Sequence, residues 1–105
     1  MKLWIDDVRT PPNGDWLWAK SVNEAKAAIS MYENNFKDDA ILISLDHDAG
    51  DYAGKGGDYV KVLDWLEEQG IVDTGYFFNL HSMNPVGVQN MRNIIQHNNW
   101  REIRI

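Results

Sequence analysis

The stretch Ile41-Leu42-Ile43-Ser44-Leu45-Asp46-His47-Asp48 constrains this chain more than any other. Four of its first five residues are apolar, and it ends abruptly in three ionisable side chains. Such a run reads as a buried central strand that delivers polar groups at its carboxyl end. Two other segments end the same way: Lys2-Leu3-Trp4-Ile5 runs into Asp6-Asp7, and Tyr76-Phe77-Phe78-Asn79-Leu80 runs into His81-Ser82. Open α/β sheets gather their chemistry at the carboxyl ends of their strands. If the three strands are parallel neighbours, Asp6, Asp7, Asp46, His47, Asp48, His81 and Ser82 share one rim, and that rim is the candidate site.

The segments between these strands support a parallel arrangement. Pro11-Pro12-Asn13-Gly14 is a turn cluster that leaves no room for a long helix after the first strand. Residues 16–19 read as a second strand at an edge. Ser21-Val22-Asn23-Glu24 has the form of a capping box, and Val22, Ala25, Ile29, Tyr32 and Phe36 recur at helical spacing, which predicts a helix to about residue 35. Tyr59, Val62, Leu63 and Leu66 form the apolar face of a second helix ending at Gly70. Pro85 suits the first turn of a third, with Val88, Met91, Ile94 and Ile95 as its buried stripe and Asn98-Asn99 at its end. Residues 100–105 alternate apolar and charged side chains, as an edge strand does. Strands interleaved with helices imply right-handed crossovers, so the expected fold is a small three-layer α/β domain of about five mainly parallel strands, spanning residues 1–105 as one unit.

Length and composition bound the function. A chain of 105 residues with 44% apolar content can bury roughly two thirds of its unfolded surface. It contains no cysteine, which excludes disulfides, thiolate metal sites and a catalytic thiol. No apolar run approaches the ~20 residues of a membrane span, and a soluble cytoplasmic protein is expected. Sixteen acids against ten bases give a net charge of −6, which argues against broad binding to duplex nucleic acid. An enzyme acting on a single phosphate remains compatible with that charge. The five tryptophans are expected mainly in the core.

Each candidate group has a chemical role and a structural alternative. Asp6, Asp7 and Asp46 would form an oxygen-rich cluster suited to Mg²⁺ or another hard divalent cation; alternatively, the three acids cap separate loops. His47 and His81 can divide general base and general acid, which opening a phosphodiester requires, or each can tie a loop to a carbonyl. Asp48 suits the orientation of an imidazole, or caps the following loop. Arg9 suits an anionic oxygen, or an ion pair with Asp6 or Asp7. Ser82 and Asn84 precede a helix N-terminus, where they can contact a phosphate or cap the helix. Residues 50–57 hold four glycines, but their spacing and the sequence Lys55-Gly56 do not match a phosphate-binding loop, and a mobile lid is expected instead. His97 suits the carboxyl end of the third helix and lies outside the candidate site.

The acid pair after the first strand, Asp46 after the third and Ser82 after the fourth resemble the receiver domains of two-component signalling. Leu3-Trp4-Ile5-Asp6-Asp7-Val8-Arg9-Thr10-Pro11, Ser44-Leu45-Asp46-His47-Asp48 and His81-Ser82-Met83-Asn84-Pro85-Val86-Gly87 are more closely similar to the cyclic-phosphate processing receiver-like family. The resemblance implies a receiver-like, flavodoxin-like fold whose first helix is reduced to a loop. It also implies processing of cyclic phosphate esters, such as 2′,3′-cyclic ends of RNA or nucleotides, with Asp6, Asp7, Arg9, Asp46, His47, Asp48, His81 and Ser82 as site residues. Two alternatives stand beside it: a signalling module phosphorylated at Asp46, and a phosphate-binding domain without turnover. The receiver lysine expected after the fifth strand has no counterpart here, which weighs against the signalling alternative.

Overall fold

A computed structural model describes residues 1–35, 40–70 and 75–104. Its elements are β1 (Lys2–Ile5), β2 (Leu17–Ala19), α1 (Val22–Asn35), β3 (Ile41–Leu45), a 3₁₀ turn (Gly50–Tyr52), α2 (Val60–Glu68), β4 (Tyr76–Leu80), α3 (Pro85–His97) and β5 (Arg101–Glu102). The five strands form one sheet in the order β2-β1-β3-β4-β5, and every pairing is parallel. Of the expected strand over residues 16–19, Leu17–Ala19 form the edge strand β2, and Trp16 precedes it. The last strand is also at an edge but is shorter than expected, with two paired residues extended by the Ile103 N–H bond to the Phe78 carbonyl. Phe36, expected on the first helix, and Ile105, expected in the last strand, lie outside the described residues.

Strand register sorts the side chains into two faces. Leu3, Ile43 and Phe78 lie side by side on one face, and Ile5, Leu45 and Leu80 on the next rung of that face. This face packs against Val22, Ala25 and Ile29 of α1, Val62, Leu63 and Leu66 of α2, and Met91 and Ile95 of α3 in one continuous core. All three helices therefore cover the same side of the sheet. The physical reason is the order of crossovers: from β2 to β3, β3 to β4 and β4 to β5 the chain always steps in one direction, and right-handed connections then keep every helix on one side.

On the opposite face the register aligns Trp4 with Ser44 and Asn79, and Lys2 with Leu42 and Phe77. Here the β1–β2 connection, residues 6–16, lies where the first receiver helix is missing, so the third layer is a loop. Two indole bonds pin that loop. Trp4 Nε1 donates to the Arg9 carbonyl at 2.8 Å, and Trp18 Nε1 donates to the Asp6 carbonyl at 2.8 Å. Trp4 and Trp16 meet edge to face with centroids 5.6 Å apart, and both lie outside the helix-side core.

The helices begin and end as their sequences dictate. Ser21 Oγ accepts the Glu24 N–H, while the Glu24 carboxylate accepts the Lys20 N–H, a capping box displaced by one residue on its return arm. α2 is followed by Gly70 in a left-handed conformation at φ 69°. Asn84 caps α3 by accepting the Gly87 N–H, with Pro85 in the first turn.

Candidate functional site

The carboxyl ends of β1, β3 and β4 bring the expected residues to one rim. Asp6 is buried, and its Oδ1 accepts the backbone N–H groups of Val8 and Arg9 at 3.0 and 2.9 Å. Its Oδ2 accepts from His81 Nε2 at 2.9 Å. Oxygen atoms of Asp6, Asp7 and Asp46 lie within 4.8 Å of one another. Burial raises Asp7 above the usual carboxylate range, and the neighbouring Asp6 and Asp46 charges add to the effect. Burial also pushes Asp6 upward, but the Arg9 and Val8 N–H groups and the His81 ring outweigh it and hold Asp6 below its ordinary value. Three hard oxygen donors with crowded negative charge fit a divalent cation of the Mg²⁺ kind. Asp7 and Asp46 are the better-placed ligands, because both Asp6 oxygens already accept hydrogen bonds.

The two histidines are held in different ways. The His81 side chain is 10% exposed, and its ring stacks on Trp4 with centroids 3.9 Å apart and planes 3° apart. Its Nδ1 lies 2.8 Å from Ser44 Oγ, which accepts the Asn79 side-chain N–H at 2.9 Å. Burial lowers the His81 pKa, and this outweighs its bond with Asp6. A neutral ring beside an ionised Asp6 carries its proton on Nε2, so the Ser44 hydroxyl donates to Nδ1. The result is a directed chain from Asn79 through Ser44 and His81 to Asp6.

His47 is paired at one nitrogen only. Its Nδ1 lies 2.8 Å from Asp48 Oδ1, and its Nε2 has no hydrogen-bond partner among the described residues. The His47 bond holds Asp48 below the ordinary carboxylate range despite some desolvation. The His47 backbone N–H donates to Asp46 Oδ1 at 2.7 Å, which ties the start of this loop to the acidic cluster. The ring packs on the first turn of α3, where a Cβ at Gly87 would fall on its Cδ2 and Nδ1 at 2.6 and 2.8 Å. Only glycine lets the ring lie there.

The remaining candidates frame this pair. Arg9 makes no ion pair with Asp6 or Asp7; its Nη1 donates to the His81 carbonyl at 3.0 Å, and the side chain is exposed at the rim. Asn84 Nδ2 reaches Asp48 Oδ2 at 3.4 Å while its Oδ1 caps α3, so capping and site support coexist in one side chain. Ser82 Oγ accepts the Asn84 N–H at 3.1 Å. Residues 50–57 are folded rather than open: a 3₁₀ turn is followed by further turns, Lys55 O accepts the Asn23 N–H, and Gly50, at φ 56°, packs against the Asp7 carboxylate. Ser44, Asn79, Trp4 and Gly87 had no role in the sequence reading of the site. The available signal was the polar Ser44 and Asn79 inside otherwise apolar strands, each two residues before a rim group.

A 2-1-3-4-5 parallel sheet with acids after β1 and β3 defines a receiver-like α/β domain. The description "cyclic-phosphate processing receiver domain" belongs to the family model that matches residues 1–97, and the chain belongs to that family. Neither the curated proteins nor the solved structures contain a match to it.

Proposed function

We propose that this protein hydrolyses cyclic phosphate esters, in small molecules or at RNA ends, with 2′,3′-cyclic phosphates as the leading substrate class. The observation that carries this reading is the His47–Asp48 pair, which leaves one imidazole nitrogen unpartnered among the described residues, on the residue that follows Asp46 of the three-carboxylate cluster. Asp48 fixes the His47 proton on Nδ1, so Nε2 is free to take a proton from a water that attacks phosphorus. The new P–O bond forms as the bond from phosphorus to one ribose oxygen breaks. His47 returns its proton to that oxygen, and the product is a phosphate monoester with the elements of one water added. The exposed Arg9 guanidinium faces the charge that develops on the phosphate oxygens. When bound by Asp6, Asp7 and Asp46, a divalent cation would supply further neutralisation of that charge.

His81 serves this site as a positioning residue. With both ring nitrogens bonded, it holds Asp6, and through its carbonyl it holds Arg9. The test is steady-state hydrolysis of 2′,3′-cyclic nucleotides by the wild type and by His47→Ala. The expected loss in kcat is roughly 10²–10⁴-fold, the usual contribution of a positioned proton-transfer group. Undiminished turnover by a folded His47→Ala variant would remove His47 from the mechanism.

A further inference from the structure

The face of the sheet that carries no helix holds a cavity of about 440 Å³, lined by Lys2, Trp4, Pro12, Trp16, Asn79 and His81 among others. That volume lies within the roughly 300–1,000 Å³ typical of small-molecule sites. It exists because residues 6–16 replace a helix: the loop closes one side, while the strands and two indoles form the floor. We propose that this cavity seats the nucleobase of a cyclic nucleotide whose phosphate lies at the acidic rim. The inference rests on the hydrolase reading for its phosphate and on the cavity alone for its base.

Three features point to a flat, polar-edged ring. Trp4 and Trp16 meet at 77° and form an apolar aromatic corner in the cavity wall, a surface suited to the edge of a flat ring. Asn79 is 7% exposed, and its Nδ2 is spent on Ser44. Its Oδ1 has no hydrogen bond among the described residues, yet no buried side-chain polar atom there lacks a partner, so that oxygen opens onto the cavity it lines. A well-buried acceptor facing a cavity calls for an N–H on the ligand, and the edges of nucleobases provide one. Trp16 Nε1 is likewise unpartnered and accessible, a donor for a ring nitrogen or carbonyl.

The cavity adjoins the candidate site. His81 lines it while bonding Asp6 through Nε2, and Trp4 lines it while stacking on His81. Along β1 the lining runs back from the rim to Lys2, four residues from Asp6 and thus about 13 Å away at strand rise. That span accommodates a ribose and a base in line. Lys2 Nζ lies 5.7 Å from the Trp16 ring centroid and gives the far end of the cavity a cationic donor suited to a base carbonyl or ring nitrogen.

The experiment compares a nucleoside 2′,3′-cyclic phosphate with methyl riboside 2′,3′-cyclic phosphate, which lacks the base, in turnover and in a ¹H–¹⁵N NMR titration of the wild type. The expected result is a kcat/KM at least tenfold higher for the nucleotide, with shifts of the Asn79 side-chain amide and the Trp16 indole N–H that the riboside does not produce. Trp16→Ala should raise KM for the nucleotide more than it lowers kcat. Equal turnover of both compounds with unmoved Asn79 and Trp16 signals would overturn the base site and leave the hydrolase reading intact. Nucleotide-specific shifts without turnover of either compound would support the base site and defeat the hydrolase reading.

Discussion

His81 and His47 occupy the same rim but differ in what their ring nitrogens can still do. Both nitrogens of His81 are bonded inside the protein, whereas His47 retains Nε2. The strand-end pattern in the sequence located both imidazoles. It could not separate their roles, because the discriminating partner, Ser44, lies on the neighbouring strand and meets His81 only through the register. The His81 environment has a consequence for stability. Burial holds its folded pKa below the ordinary 6.5, so on acidification the unfolded chain binds a proton that the native state does not. Stability is therefore fully present above about pH 6.5 and is lost as pH falls from there toward the folded value. Asp6 has the same sign at lower pH: its folded pKa lies below 3.8, and its contribution is lost as pH falls through the folded value. With chelator present, Tm should decline between pH 7 and pH 5, and His81→Phe, which keeps a ring against Trp4, should flatten that decline. An equally steep profile in the variant would contradict the assignment.

The start of α3 is the element on which the site depends most. Its cap, Asn84, also reaches Asp48, and its third residue, Gly87, gives the His47 ring its place. Gly87→Ala should displace His47 while improving helix propensity by about 1 kcal/mol. Turnover should fall roughly 10²-fold, as expected when a reacting group is misplaced by about 1 Å, with Tm changed little. Unchanged turnover would show that the ring can move without cost. The helix itself was legible from Asn84, Pro85 and the apolar stripe, but the need for glycine was not, because it arises from a side chain of β3's following loop. The loop 6–16 was legible as a helix breaker from Pro11, Pro12 and Gly14. That it leaves one face of the sheet with a lined cavity follows from the strand order.

For the whole molecule, hydrophobic periodicity and the polar strand ends were enough to predict five strands, three helices and the rim. The apolar sets of β1, β3 and β4 are long enough to mark the interior, and the central position of β3 matches its burial. The single-sided packing of the helices was hidden because it depends on which way each crossover steps across the sheet. Together these features place an acidic, histidine-bearing rim at one end of a receiver-like sheet, with an open face beside it. No helix among the described residues is long and apolar enough to cross a membrane. The chemistry proposed for this rim is the opening of a cyclic phosphate ester. ³¹P NMR of the protein with a nucleoside 2′,3′-cyclic phosphate, in Mg²⁺ and in chelator, tests it directly. The cyclic resonance is expected to give way to that of a 2′- or 3′-monoester, faster with Mg²⁺ than with chelator. A cyclic resonance that persists unchanged in both conditions, with the protein folded, would contradict it.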